Sequence, residues 1–237
     1  MSEWLTFFVK ILPEFLKGTL ITLELTLIGL TIGIILGLPS AALRVYGPRW
    51  LRWLAISYIE LFRGTPVLVQ LFIIYFGLPE LGGYLGHPEW FTLNRIPSAI
   101  IALGLNSGAY QAEYFRSAIQ AIGNDQMLAA RAIGMTRLQA IRHIILPQAL
   151  RLVIPAWSNE PVSLLKTTAV AFLIAVPDLM TQAKMIATRT YDPIGTYMAV
   201  ALVYLVLVFI FTGILDYVTQ RTKIPGLGLD FEIQRST

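Results

Sequence analysis

The chain has 237 residues, 56% of them hydrophobic and only 14% charged, with a mean hydropathy of +0.66. An ordinary soluble domain carries about 25% charged residues, and a chain this short must still present polar surface to water; a lipid-facing surface removes the conflict. The absence of cysteine excludes disulfides and thiolate-ligated metals, and the net charge of +4 is distributed along the chain in a way that fits membrane orientation better than nucleic-acid binding.

In chain order, the first piece places Trp4, Phe7, Phe8, Ile11, Leu12 and Phe15 at helical spacing, with Glu3, Lys10, Glu14 and Lys17 elsewhere. That pattern predicts an interfacial helix over residues 1–18 on the outer leaflet, with Pro13 arguing against one unbroken helix. Its mixed charges, with no small-residue cleavage site following, do not predict a cleavable signal peptide. A spanning helix needs about 20 mostly apolar residues. Thr19–Leu43 supplies a first span, Trp53–Leu78 a second, Ile96 to about Ile119 a third, Leu146–Val176 a fourth and Ile194–Leu215 a fifth. The second is interrupted by Glu60, Arg63 and Gly64-Thr65-Pro66. The fourth contains Arg151, Glu160 and Lys166 with Pro147, Pro155 and Pro161. Polar groups and broken helices survive at membrane depth only where they face protein or water. The expected class is therefore an all-α integral membrane protein of about five transmembrane helices, one domain over 19–220, with a short tail over 221–237 opened by Pro225-Gly226-Leu227-Gly228.

Charge orients the spans. Arg44, Arg49 and Arg52 follow the first, and Arg116, Arg131, Arg137 and Arg142 surround the connection after the third. Arg221 and Lys223 follow the last. In a five-span chain these three regions share a side, and basic residues near span ends stay cytoplasmic. The N-terminus is expected outside and the C-terminus inside.

The inner connection after the third span carries the most information. It predicts a helix capped by Asp125 and running to Ile133, stopped by Gly134 in a left-handed conformation, and a second helix from Thr136. Pro147 is then expected to open the fourth span. Ala129 and Ala130 allow close approach of another surface, while Met127, Leu128, Ile133 and Met135 offer apolar contact, which in a water-exposed segment points to a docking partner.

Here the sequence resembles the permease subunits of ATP-binding-cassette importers. Ala129-Ala130, Gly134 and Ile144-Ile145-Leu146-Pro147 carry the resemblance, although Leu128 stands where the family usually has Glu; Asp125, one turn earlier, is a possible substitute. Further blocks look like the polar amino acid uptake permeases: Glu60–Pro66 followed by Gln70-Leu71-Phe72, Ala109–Glu113 with Phe115-Arg116, Leu146–Arg151, and Asn159-Glu160 followed by Leu164-Leu165-Lys166. The resemblance implies a type I importer-permease fold in a bacterial inner membrane, with this inner segment as a coupling helix. Asp125, Leu128, Ala129, Ala130, Arg131, Gly134, Leu146 and Pro147 would then meet an ATPase. It also implies separate ATPase subunits holding ATP and Mg, a second permease subunit identical or similar to this one, an external solute-binding protein, and no cofactor on this chain.

Glu60 and Arg63, like Glu113 and Arg116, lie at i, i+3 and can share a helix face. One reading is mutual neutralisation that holds helices in register; the other is substrate contact. Glu60, Arg63, Glu160, Ser163 and Lys166 are the candidate substrate-path residues. Glu160 and Lys166, six apart, do not share a face. His87 and His143 lie in separate loops without convergent partners, so neither metal binding nor catalysis is expected of them. The chain has no phosphate-loop motif and so is expected to be a translocation subunit rather than an enzyme. An ion-coupled secondary transporter is the alternative; its matching broken repeats are not found. Nor are the paired catalytic groups of an intramembrane enzyme.

Overall fold

A computed structural model describes the backbone of residues 2–222, and the side chains there apart from those of residues 2–8, 123 and 124. Helix α1 (Ser2–Tyr46) runs unbroken through Pro13 and Pro39. This corrects the expected interruption at Pro13, and no change of element marks residue 18. A proline removes one helical hydrogen bond, but the turn around Pro13 is held by packing. Ile11 and Phe15 are buried in a cluster with Leu179, Ala183 and Ile186. The spacing of Trp4, Phe7 and Phe8 lies outside the described side chains, and the tail from residue 223 lies outside the described residues.

The stretch expected as one second span is two helices, α2 (Arg49–Gly64) and α3 (Val67–Tyr84). Thr65 and Pro66 between them are extended. Pro66 has no N–H to donate and sterically excludes Thr65 from the helical region. The carbonyls freed at the end of α2 are met from α3: the Gln70 amide donates to Phe62 O at 2.8 Å and Thr65 O at 3.0 Å. A π turn, Ile73–Gly77, widens α3, and a short helix α4 (Pro88–Phe91) follows it.

Helix α5 (Arg95–Ala121) lies against α1 at very close range. Gly29, Gly33 and Gly37 recur every four residues on α1, where they meet Leu103, Gly104, Ser107, Gly108 and Ala112 of α5. A Cβ on Gly37 would stand 2.8 Å from Gly108 O, and one on Gly108 would stand 2.5 Å from the Tyr58 hydroxyl. Small residues let two backbones approach where lipid gives no hydrophobic drive to association, so that van der Waals contact carries the pairing.

After α6 (Gly123–Ala132) the chain is helical over 137–174, here α7, with turns at Val153 and Ser158. The helix of the expected fourth span, α7, thus begins ten residues before Pro147, not at it. The π turn Ile141–Ile145 ends two residues before Pro147 and includes His143, four residues back from it; a widened turn is how a helix admits a ring that would otherwise strike that carbonyl. The last turns, Thr168–Ile174, tighten to 3₁₀ and end at Ala175 with φ +55°.

The expected outer loop beyond is itself a helix, α8 (Leu179–Thr190), followed by α9 (Pro193–Thr222). Asp178 caps α8 by accepting from Thr181 N at 2.9 Å. Leu179 N donates to Thr22 Oγ1 at 3.1 Å, and Arg189 pairs with Glu14 at 2.8 Å. These contacts tie α8 to the first half of α1. By length and composition, the described residues hold three helices able to cross a membrane: Val9–Tyr46, α3 and α9. A fourth is added if Ile154–Ile174 and α8, bent by 53°, make one span.

Two ends are distinct. At one, Ala41, Phe115, Ile119, Ile145 and Ala149 form a cluster joined by Tyr46, Ile122 and Met127; the basic connections after α1 and α5 leave from this end. At the other, Leu179 and Ile186 pack on Ile11 and Phe15.

Candidate functional site

The first candidate surface is α6 and the turn after it. The helix starts at Gly123 with Ile122 as its cap residue, so Asp125 is not the cap. It is an acidic residue in the first turn, where it complements the positive end of the helix dipole. The far end matches expectation. Gly134 has φ +87°, Met135 N donates to Ala130 O at 3.1 Å and Gly134 N to Arg131 O at 3.0 Å. This pair of bonds is a Schellman closure, which needs a left-handed residue at the position Gly134 occupies. Thr136 then caps the next helix in a reciprocal box with Gln139.

The turn throws Ile133 (78% exposed), Leu138 (74%) and Leu128 (64%) outward. Asp125, Ala129 and Arg131 are also exposed, while Ala130 is buried. Met127 packs inward, and Arg137 stands 5.5 Å over the Tyr46 ring, tying the turn to the end of α1. Leu146 is half-buried and lines a small apolar groove with Leu38, Pro39 and Ala42, and Pro147 is exposed. Leu146 and Pro147 therefore belong to the helix root rather than the exposed apex.

The second candidate lies between α1, α5 and α7. Glu160 is 5% exposed, and its Oε1 accepts from Ser107 Oγ at 2.7 Å. Gln111, fully buried, donates to Leu30 O at 3.3 Å and to Ser107 Oγ at 3.0 Å, and accepts from Trp157 Nε1 at 2.9 Å. The Glu160 carboxyl is held by one hydroxyl, with no basic side chain paired to it among the described residues, in a place where an unpaired charge is costly. Ser163 and Lys166 do not join it; both are exposed, on a face they share with Asn159. Spacing alone could not locate Ser107 or Gln111, because their link to Glu160 crosses 53 and 49 residues of sequence.

The third candidate is the ion network. Glu113 and Arg116 pair as expected, with Nε and Nη2 at 2.9 and 2.8 Å. Glu60 and Arg63 do not pair with each other. Arg44 of α1 binds Glu113 and lies 3.5 Å from Glu60, and Arg63 lies 3.9 Å from Glu113. The reason is geometric: α1, α2 and α5 converge here, and partners across helices compete with the i, i+3 partner. His87 stacks on Trp90 with centroids 4.2 Å apart, and His143 lies against Gln139 O. Among the described residues no three His, Asp or Glu side chains gather as a metal site. A groove of about 420 Å³ on α9, lined by Pro193, Ile194, Tyr197, Met198 and Ala201, lies on an apolar surface away from these groups.

Comparison with known proteins places the chain. Residues 29–224 match the family described as binding-protein-dependent transport system inner membrane component. A probable amino-acid permease protein of Bacillus subtilis (strain 168), YxeN, is 40% identical over 223 residues, 94% of this chain and 97% of that one. The arginine transport system permease protein ArtQ of the same organism is 36% identical over 212 residues, covering 90% and 94%. The crystal structure of an amino acid ABC transporter with histidines superposes with a TM-score of 0.81 at 38% identity, covering 90% of this chain and 96% of that one. The MetNI methionine transporter, at 19% identity and a TM-score of 0.73, shares the fold.

Proposed function

The chain belongs to the inner membrane components of binding-protein-dependent transport systems, the permease subunits of ATP-binding-cassette importers, and from that membership we propose that it carries polar amino acids inward. Hydrolysis of ATP takes place on separate ATPase subunits, and the permease receives their motion through α6. The exposed apex around Gly134 carries this reading: three large apolar side chains stand in water beside the arginines of the inner end, and such a surface needs a partner. Leu128 supplies apolar contact where relatives of this kind place Glu, and Asp125 supplies the nearby negative charge.

Five spans fit this role better than three or four. Helix α5 has 27 residues, about 40 Å at 1.5 Å per residue, enough to cross a bilayer. Its low hydropathy comes from the small and polar residues it turns toward α1 and α7, which lipid never meets. Helices α2 and α3 then make one broken span and α7 another. Basic connections put the N-terminus outside and the C-terminus inside. Residues 1–18 extend α1 at the outer surface, 19–220 form the transmembrane unit, and 221–237 the inner tail. Arg63, Asn159, Ser163 and Lys166 are exposed on this chain yet sit within its spanning segments. A second permease subunit covers them and encloses the path, with Glu160 at its side and an external binding protein delivering the cargo.

The test is ATP-dependent uptake of radiolabelled amino acid by proteoliposomes holding the whole complex. Gly134→Pro abolishes uptake while the permease still assembles in the membrane; uptake at the wild-type rate would exclude α6 from coupling. Glu160→Gln is expected to slow uptake or change cargo preference, and an unchanged profile removes Glu160 from the path.

A further inference from the structure

We propose that Arg63 reads the α-carboxylate of the amino acid in transit, an inference that rests on the importer function above and extends its site. Charge in the ion network does not balance: the guanidiniums of Arg44, Arg63 and Arg116 face the carboxylates of Glu60 and Glu113. Glu113 is already bound by Arg116 through two hydrogen bonds and by Arg44. Glu60 is 61% exposed, turned to Arg44. Arg63 Nη1 stands 3.9 Å from Glu113 Oε2, too far for a hydrogen bond. Its Cζ stands 5.4 Å from the Tyr110 ring centroid. Among the described residues its fork of donors is left for an outside acceptor, and a guanidinium fork matches a carboxylate in two parallel bonds.

The height of Arg63 is set by its neighbour. Phe62 O accepts from Asn106 Nδ2 at 3.1 Å and from Gln70 Nε2 at 2.8 Å. This pins the end of α2, just before the break at Thr65, to the level of Asn106 on α5. The next residue, Ser107, holds Glu160, and Tyr110 follows within one turn. A buried carboxyl without a basic partner and a guanidinium without a hydrogen-bonded acceptor thus stand beside neighbouring levels of α5. That arrangement complements a zwitterion: carboxylate on Arg63, with the cationic group toward Glu160.

Decarboxylated pairs test this on the complete complex in nanodiscs, with equilibrium binding measured by calorimetry. The probes are L-arginine with agmatine, L-histidine with histamine, and L-glutamine with 4-aminobutanamide. Wild type is expected to bind at least one amino acid tenfold or more tightly than its amine. Arg63→Gln loses that preference by weakening the amino acid alone, and Arg63→Lys recovers part of it. Equal weakening of both members of a pair assigns Arg63 a structural role and overturns the proposal, as does a wild-type complex that binds the amine as tightly as the acid. Glu160→Gln keeps the two readings apart, since it is expected to weaken both members. If it changes neither while Arg63→Gln still abolishes discrimination, the Glu160 reading fails alone. A wild-type complex that saturates with none of the probes overturns both.

Discussion

Alanine at Gly37 should loosen the α1–α5 pair on which the rest of the bundle is built. The added Cβ would lie 2.8 Å from Gly108 O, 3.0 Å from Ala112 N and 3.0 Å from Gln111 Cβ, against about 3.5 Å or more for an unstrained contact between such atoms. The first two neighbours are main chain, so no rotamer change relieves them; one helix must move from the other by several tenths of an ångström. Overpacking of this kind costs about 1–3 kcal/mol, which lowers the melting temperature of a chain this size by about 2–12 °C. The control is Gly213→Ala on α9, where nothing lies within 4 Å of the new methyl. There the gain in helix propensity, about 0.5–1 kcal/mol, makes the change neutral or stabilising. Intrinsic tryptophan fluorescence of the complex in nanodiscs, followed during heating, separates the two. If Gly37→Ala melts with Gly213→Ala or above it, the close approach of α1 and α5 is not what sets their spacing.

Two further outcomes concern the apex of α6. Gly134→Ala meets no neighbour within 4 Å, so its whole cost is the backbone at φ +87°, about 1–2 kcal/mol. Substrate-stimulated ATPase activity is expected to fall several-fold, with Gly134→Asn, which tolerates that conformation, losing less; wild-type stimulation in both would deny the turn a role. Ile133→Asp puts a charge on a side chain 78% exposed and so leaves the permease folded. Capture of the ATPase subunit by the purified permease should weaken by tenfold or more, and undiminished capture would place the docking surface elsewhere.

Much of the organisation was legible without coordinates because it depends on composition and local chemistry. Apolar runs mark helices that meet lipid, and the gathering of arginine after α1 and α5 follows from counting charges. The turn at Gly134 and the cap at Thr136 involve residues no more than five apart, so their partners are visible in the string itself. Local rules failed where two effects compete. Pro13 reads as a breaker, yet burial of Ile11 and Phe15 on α8 keeps the helix whole. Pro147 reads as a helix start, yet a π turn carries the helix through it. The four-residue glycine spacing on α1 was present in the sequence, but only its docking partner on α5 gives it meaning.

Hydropathy and charge, read along the chain alone, determined a multi-span membrane protein with arginines gathered at one end and a turn-closed helix there, since each is a sum over neighbouring residues. Tertiary structure alone decided that Ser107 holds Glu160, that Arg44 and not Arg63 pairs with Glu60, and that α8 fills an expected loop. The physical reason is range. A hydrogen bond or ion pair between helices depends on crossing positions good to a fraction of an ångström. Those positions are set by which side chains are small enough to let two backbones meet, a property of pairs of surfaces that spacing along one segment does not contain.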